Sequence, residues 1–468
     1  MSEPLPAPAP ASLTRRRFNL AVGASALIAA SSRPAKAAEA PDLLLILMAD
    51  LHSGYAYTAA LTKAVRDLIA ANNGGQAAII VNGDIFEMGN LLCARNSGKI
   101  DFEMLRVFAS LAPTIVNIGN HDGDVMDPAA FVAEAAKLGA TVVSNITDPR
   151  TGALYGAPGT ELSVKGIKIR VSAIGTPALG TYRNGAQWYA VPAPGAYAAS
   201  TFPELLAGAD FHLALVHAGF RADTAVLPSA GAPFLLHGGH DHLRLTQRIG
   251  ANGLHIHSGY WSNGLAAIGV SFAGAAGVRI DAQQIELTRT SPQDVDMAAL
   301  IAREKSALLS EADLRPLGRL ANALTLDEAA LFSAEAVRKA AGADVGLLSH
   351  ATFGDGLPAG PANAFDLASF LRFDGVFARA TVSGAALADT ILPMTNQFGD
   401  FPYERRTGDF LYATALNVDR ARTYTMVVNS FATRSPASVA AYFGVADFAF
   451  EPVPALKLKA TIIAALSA

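Results

Sequence analysis

Residues 119–124 read Gly-Asn-His-Asp-Gly-Asp, directly after the apolar run "APTIVNI". A surface turn accounts for the glycines and one aspartate. It does not account for Asn120, His121, Asp122 and Asp124 together, which suit metal ligation and proton transfer. Other apolar runs end in the same way. "LLLILMAD" closes at Asp50, with His52 two residues on, and "AAIIVNGD" closes at Asp84. "FHLALVH" closes at His217, and "PFLLHGGHDH" delivers His240 and His242. Asp50, His52, Asp84, Asn120, His217, His240 and His242 are too many for one zinc, which takes three or four ligands. Two ions sharing a ligand accommodate them, and Asp84 is a natural bridge because a carboxylate has two oxygens. Mixed oxygen and nitrogen donors without a thiolate suit manganese, iron, zinc or cobalt. Two such ions roughly 3.5–4 Å apart can hold a hydroxide nucleophile and clamp a phosphoryl oxygen during in-line attack. The chemistry implied is hydrolysis of a phosphate ester.

The elements that must position these groups are legible in the same runs. From residue 43 onward, short apolar stretches that read as strands buried on both faces alternate with amphipathic stretches of helical period. The helical stretches are "TAALTKAVRDLIAAN", "DFEMLRVFASLA" and "PAAFVAEAAKLGA". Such alternation predicts an α/β fold with parallel strands, whose ligands bind beyond the carboxyl ends of the strands. "LAAIGVSF" and "GVRIDAQQIEL" read as closing antiparallel strands. A boundary is expected near residue 290, where Ser291 as N-cap, Pro292 and Asp294 open a linker helix over 290–310. Residues 311–468 are expected to form a smaller α+β domain with helical "TLDEAALFSAEAVRKAAG" and strand-like "DVGLLSH", "GVFARATVSG" and "TYTMVVNSF".

Composition sets the outer limits. The chain has 468 residues, 51% of them hydrophobic, enough for two domains with sizeable cores. Residues 1–37 run from a Pro/Ala leader through "TRRRFNL" and "AVGASALIAA" to "AKA". That order reads as an export signal cleaved near Ala37, and Arg15-Arg16 followed by Phe18 resembles a twin-arginine signal. The expected location is periplasmic or secreted, by way of the twin-arginine machinery. Removing this segment leaves 31 basic and 39 acidic residues, a formal charge of −8. No basic stripe favours nucleic acid or anionic lipid, and no apolar run near 18 residues in the body predicts a membrane anchor. Cys93 is the only cysteine, so an internal disulfide and a thiolate metal cluster are excluded. The oligomeric state is not encoded in any motif.

"DLH" (50–52), "GD" (83–84), "GNHD" (119–122), "HAG" (217–219) and "GHDH" (239–242) occur in the order and spacing of the five motifs of the calcineurin-like metallophosphoesterases. Within that superfamily the layout resembles the bacterial 5′-nucleotidase family, with its extra C-terminal domain. The resemblance implies a metallophosphoesterase α/β sandwich over 38–289 and a 5′-nucleotidase-like domain over 311–468. It implies a first metal held by Asp50, His52, Asp84 and His242, and a second held by Asp84, Asn120, His217 and His240. His121 is then free of metal, facing the phosphate as a catalytic group, with Asp124 as its partner. Asp122 reads as structural.

The C-terminal half departs from the family pattern. "ADVGLLSHATFGDGLPAG" places Phe353 about where the family carries an arginine, and "VVNSFATRSPASVAAYFG" replaces a Gly-Gly-Asp-Gly turn. Arg372, Arg379, Arg405 and Arg406 are candidate anion contacts; Phe353, Phe410, Phe431 and Phe443 are candidate stacking surfaces. His255 and His257, on one face of "GLHIHSG", read as packing or hydrogen-bonding groups; Glu87, after "GDIF", either touches the site or opens an exposed helix. The expected substrate is a nucleotide or related small phosphate ester. The alternatives are another ester, as in the sulfur-compound hydrolases of this architecture, and a non-catalytic binding protein that keeps its metals.

Overall fold

The computed structural model describes residues 40–231, 233–272, 277–372, 374–397, 401–444 and 449–467. The export-signal reading falls on residues 1–37 and lies outside them. The chain from 43 to 286 builds two six-stranded sheets. The first contains β1 (Leu43–Met48), β2 (Gln76–Asn82), β3 (Thr114–Asn117) and β4 (Ala140–Val143), all parallel. The second contains β5 (Gly159–Val164), β6 (Ile167–Gly175), β7 (Phe211–His217), β8 (Phe234–Gly238), β9 (Arg244–Ile249) and β10 (Gly253–Ser258). Its order is β5-β6-β7-β8-β10-β9, parallel from β6 to β10 with antiparallel edges. The strands β11 (Gly264–Phe272) and β12 (Val278–Glu286) return to the first sheet and pair antiparallel beside β1.

The uninterrupted apolar character of β1 follows from its two buried faces. Leu43, Leu45 and Leu47 point into the core between the sheets, where they meet Leu213, Leu215 and Ile256 of the second. Leu44, Ile46 and Met48 point the other way, onto helices α1 (Thr58–Ala71), α2 (Leu91–Asn96), α3 (Lys99–Leu111) and α4 (Pro128–Lys137). On the outer face of the second sheet, Ala214 and Val216 pack under α5 (Pro194–Leu205) and α6 (Phe220–Val226).

Four details differ from the sequence reading. The edge strands β5 and β9 are half exposed and polar, so they lack the apolar run that marks the inner strands. The short helices α2, α5 and α6 have no clear helical period of their own. The helix at the expected linker is α7 (Val295–Leu308), and its N-cap is Asp294, whose side chain accepts from the Met297 N–H at 3.0 Å. Ser291 instead accepts from the Thr288 N–H in the preceding turn. Met297, Leu300 and Ile301 of α7 bury against the same core as α1 and α3, so the helix is built into the first sheet's outer layer.

Beyond α7, a five-stranded mixed sheet is formed by Val345–Ser349, Phe377–Ser383, Leu411–Ala413, Thr423–Asn429 and Glu451–Val453. One face packs on the helices Leu326–Ala341 and Leu458–Ser467, the other on Pro436–Phe443. Among the described residues, no helix is long and apolar enough to cross a membrane.

Candidate metal centre

Ligands from two different sheets must meet at one edge, and buried asparagines at the strand ends hold the sheets together there. Asn82, at the end of β2, donates to the carbonyls of Val216 and His237 at 3.3 and 2.7 Å. Asn117, at the end of β3, donates to Asn82 Oδ1 and to the Ile174 carbonyl. Both are fully buried, where each hydrogen bond replaces one to water. The "GD" and "GNHD" turns then cross closely. A Cβ on Gly83 would come within 2.7 Å of His217 Nδ1, and one on Gly119 would overlap Asp84 Oδ1. Asp122 is the clip between the turns: its carboxylate accepts from the N–H groups of Asp84, Ile85 and Gly119.

All seven expected ligands converge. Asp50, His52 and His242 place ligand atoms within 4.8 Å of one another, and Asp84, His217 and His240 do the same. Asn120 Oδ1 lies 2.8 Å from His240 Nδ1. His217 donates from Nδ1 to the Asn82 carbonyl, which turns Nε2 toward Asp84 Oδ2 at 3.1 Å. His52 Nε2 and His242 Nε2 face each other at 2.9 Å, next to the carboxylates of Asp50 and Asp84. Paired imidazole nitrogens, a buried imidazole facing Asp84 and two buried carboxylates form a donor set that fits divalent cations.

The local electrostatics describe the same pocket. Burial pushes the Asp50 carboxyl up to about 7. Burial also works on Asp84, but the charges of His217 and His121 outweigh it and hold that carboxyl well below the usual range. Burial drives His52 and His242 well below the ordinary imidazole value, leaving them neutral and able to ligate. Asp50, His52, Asp84, His240 and His242 all have positive φ, between 47° and 83°. Side chains other than glycine occupy that region at a cost of about 1–3 kcal/mol each.

His121 stands beside the expected ligands, its ligand atom within 4.8 Å of those of His52 and Glu87. Its Nδ1 lies 2.8 Å from Asp124 Oδ2, and its Nε2 lies 2.9 Å from Arg372 Nη2. Burial alone would depress this imidazole, but Asp84, the hydrogen bond to Asp124 and Glu87 push it up to about 9. The Arg372 contact needs a lone pair on Nε2, because a guanidinium only donates. The contact therefore belongs to the neutral ring, and the surrounding carboxylates favour protonation once Arg372 withdraws.

Of the candidate substrate contacts, the structure brings Arg372 to the site and Phe353, Arg406 and Phe410 to the adjoining cavity, and leaves Arg379 and Phe431 elsewhere. Arg372 is buried, pairs with Glu87 Oε2 at 2.7 Å and lies over the Trp261 ring. Phe410 stacks on His350 with ring centroids 4.2 Å apart and lines a cavity of about 660 Å³. Phe353 also borders this cavity but is fully buried, stacked on Phe370 in the core, so its face is spoken for. Arg379 donates to the Ala341 carbonyl at the end of a helix, and Phe431 is exposed beneath Arg434; neither joins the cavity. The cavity runs from His242 between the two halves, lined also by Tyr57, Arg244, Tyr260, Arg289 and Arg406.

Of two further residues at the site, Glu87 was left open by the sequence and Trp261 was not anticipated. Glu87 is a buried neighbour of His52 and the partner of Arg372, not an exposed helix start. Trp261 stacks on His52 at 4.7 Å, and its backbone N–H donates to the Asp50 carbonyl at 2.6 Å. Glu87 was signalled by its place three residues after the "GD" turn; nothing marks Trp261.

Residues 43–263 match the calcineurin-like phosphoesterase family. No curated protein matches the sequence. Among solved structures, the chain is similar to a 5′-nucleotidase precursor from Thermus thermophilus, at 17% identity and TM-score 0.58, over 91% of this chain and 96% of that one. It is similar to the sulfate thiohydrolase SoxB of the same organism, at 15% identity and TM-score 0.62, over 91% and 94%. A 5′-nucleotidase from Candida albicans gives 13% and 0.59, over 91% and 98%. At these identities the likeness is one of fold.

Proposed function

We propose that this chain is a dinuclear metal-dependent phosphoesterase that hydrolyses a small phosphate ester, a nucleotide or a related compound. The observation that carries the reading is the convergence of seven nitrogen and oxygen donors on one sheet edge, with a His–Asp pair beside them. Asp50, His52, Asp84 and His242 would hold one divalent ion, and Asp84, Asn120, His217 and His240 the other. Such a pair supplies Lewis acidity toward the phosphoryl oxygen and a lowered pKa for a water. The chain's own residues do the rest. Asp124 fixes the Nδ1–H tautomer of His121, so Nε2 is the atom that moves a proton to the leaving oxygen. Arg372 holds a buried positive charge where the phosphoryl group would sit, with Glu87 as its partner until an anion replaces it. Trp261 keeps water from the far side of His52.

A second reading is favoured by the aromatic residues. Phe353 is sealed into the core and Phe431 faces away, which weakens the case for a base held between two rings. An ester without a nucleobase, including a sulfur ester of the kind named for SoxB, fits the cavity equally in chemistry. Residues 1–37 we read as an export signal and 311–468 as the part that selects substrate. A reporter fused to residues 1–45 should stay in the cytoplasm of a twin-arginine export mutant.

The deciding experiment measures phosphate release from 5′-AMP and from an aryl phosphate by the manganese-loaded protein, beside Asp84→Asn. Loss of aryl phosphate cleavage by at least about 100-fold in the variant is expected. Cleavage of neither ester by metal-loaded wild type would overturn the phosphoesterase reading. Cleavage of the aryl ester alone would remove the nucleotide.

A further inference from the structure

A second cluster of ligand-type side chains lies behind the strand that leads to His240. Asp223, on α6, accepts at Oδ2 from His257 Nε2 at 2.7 Å and from His255 Nε2 at 3.1 Å. The two histidines stand two residues apart on β10, so alternation puts both on the same face. All three side chains are buried, with at most 1% of the side chain exposed, and their ligand atoms lie within 4.8 Å of one another. None belongs to the dinuclear set.

Hydrogen bonding alone leaves this cluster incomplete. Asp223 Oδ1 is buried without a partner. An unpaired buried polar atom costs about 1–3 kcal/mol, and more on a carboxylate. The backbone passes close to the cluster at this point: a Cβ on Gly238 would overlap His257 Nε2 and come within 2.6 Å of Asp223 Oδ2. A closing residue is present as well. Tyr403, from the C-terminal half, places its hydroxyl 2.9 Å from His255 Nδ1, with its ring against Phe220.

We propose that Asp223, His255 and His257 form a third, structural metal site for a borderline divalent ion such as zinc. Two imidazoles and a carboxylate are a zinc donor set, and Asp223 Oδ1 is available as a further oxygen. Zinc–nitrogen bonds of about 2.0–2.1 Å set tetrahedral ligand atoms about 3.3 Å apart, so the present 2.7 and 3.1 Å need to open by only a few tenths of an ångström. On binding, each imidazole carries its proton on Nδ1. His255 then donates to the Tyr403 oxygen, the outer hydrogen bond that zinc-bound histidines usually make. The ion would tie α6, which begins just after His217, to β10, which pairs with the strand leading to His240. Tyr403 would close it from the other half of the chain.

The test is zinc content per chain after loading and exhaustive dialysis, for wild type, His257→Gln, Asp84→Asn and the double variant, with Asp223→Asn as an isosteric second change. Three ions in wild type, two in His257→Gln and in Asp223→Asn, and retention in Asp84→Asn of one ion that the double variant lacks, would support the site. Equal zinc in wild type and both His257→Gln and Asp223→Asn overturns it. A single ion in wild type, lost in His257→Gln and retained in Asp84→Asn, upholds this site and counts against the dinuclear centre. Titration of wild type with cobalt(II) gives a readout that needs no variant. A visible band of four-coordinate type should survive Asp84→Asn, and its absence overturns the site.

Discussion

At the scale of single residues, the division of labour between His121 and its neighbours decides the chemistry. Both ring nitrogens of His121 are engaged, one by a carboxylate and one by a guanidinium, and its backbone N–H donates to Asp84 Oδ1. His121→Gln should lower kcat by about 10²–10⁴-fold, as loss of a general acid does. Asp124→Asn should cost less, about 10–100-fold, because it removes the group that orients the ring. Metal content should be unchanged in both, measured by elemental analysis; a parallel fall in metal would place His121 among the ligands instead. The candidate ligands were readable because metal chemistry admits few residue types and five strand ends repeated them. Trp261 was not, and Glu87 was left between two readings, because their places come from packing across loops and carry no period. Phe353 shows the reverse case: an aromatic at a plausible position is drawn into the core by its ring, where Phe370 and Tyr412 receive it.

At the scale of elements, the strands that position the site carry polar groups in their interiors that the fold tolerates in one protonation state only. His212, in the middle of β7, lies between Ser172 Oγ at 2.7 Å and the Ala230 carbonyl at 2.6 Å, with Phe202 against its ring. Burial pushes this imidazole down to about 4, despite the hydrogen bond to Ala230. The sign follows from linkage: the neutral form is favoured in the folded chain, so stability is full above the unfolded value near 6.5. It is lost as pH falls toward 4, by about 3 kcal/mol in total. Chemical denaturation between pH 7 and 4 should show that slope, and His212→Gln should flatten it. An unchanged slope in the variant would assign the acid sensitivity elsewhere. Element types were legible wherever a strand buried both faces or a helix had an amphipathic period. The edges β5 and β9 were not, since a half-exposed strand mixes polar and apolar residues without a clear run. The α7 cap moved from Ser291 to Asp294 because the tertiary partner Arg66 pairs with Asp294 and the turn before it occupies Ser291.

For the whole molecule, the contact that matters most joins the halves inside the site. Arg372 follows the helix Ala364–Phe370 in the C-terminal half, and Glu87 follows β2 in the first; their side chains are 5% and 8% exposed. Breaking a buried pair by removing one charge typically costs 3–5 kcal/mol, so Glu87→Gln should destabilise the chain by about 3 kcal/mol. Inorganic phosphate should then raise the melting temperature of the variant more than that of wild type, because the anion takes over the carboxylate's role. Equal responses would mean that Arg372 does not meet the phosphate.

The left-handed backbone at the ligands has a further consequence, for how such a site survives. At His242, glycine would adopt the same turn without penalty, so the fold and the activity prefer different residues there. His242→Gly should make the metal-free protein more stable by about 1 kcal/mol while weakening its hold on metal. Melting curves with and without chelator measure both effects. A lineage released from selection for catalysis would find robustness by drifting toward glycine at these turns. Histidine or aspartate at all five turns is what the proposed metal chemistry, and not the backbone, calls for.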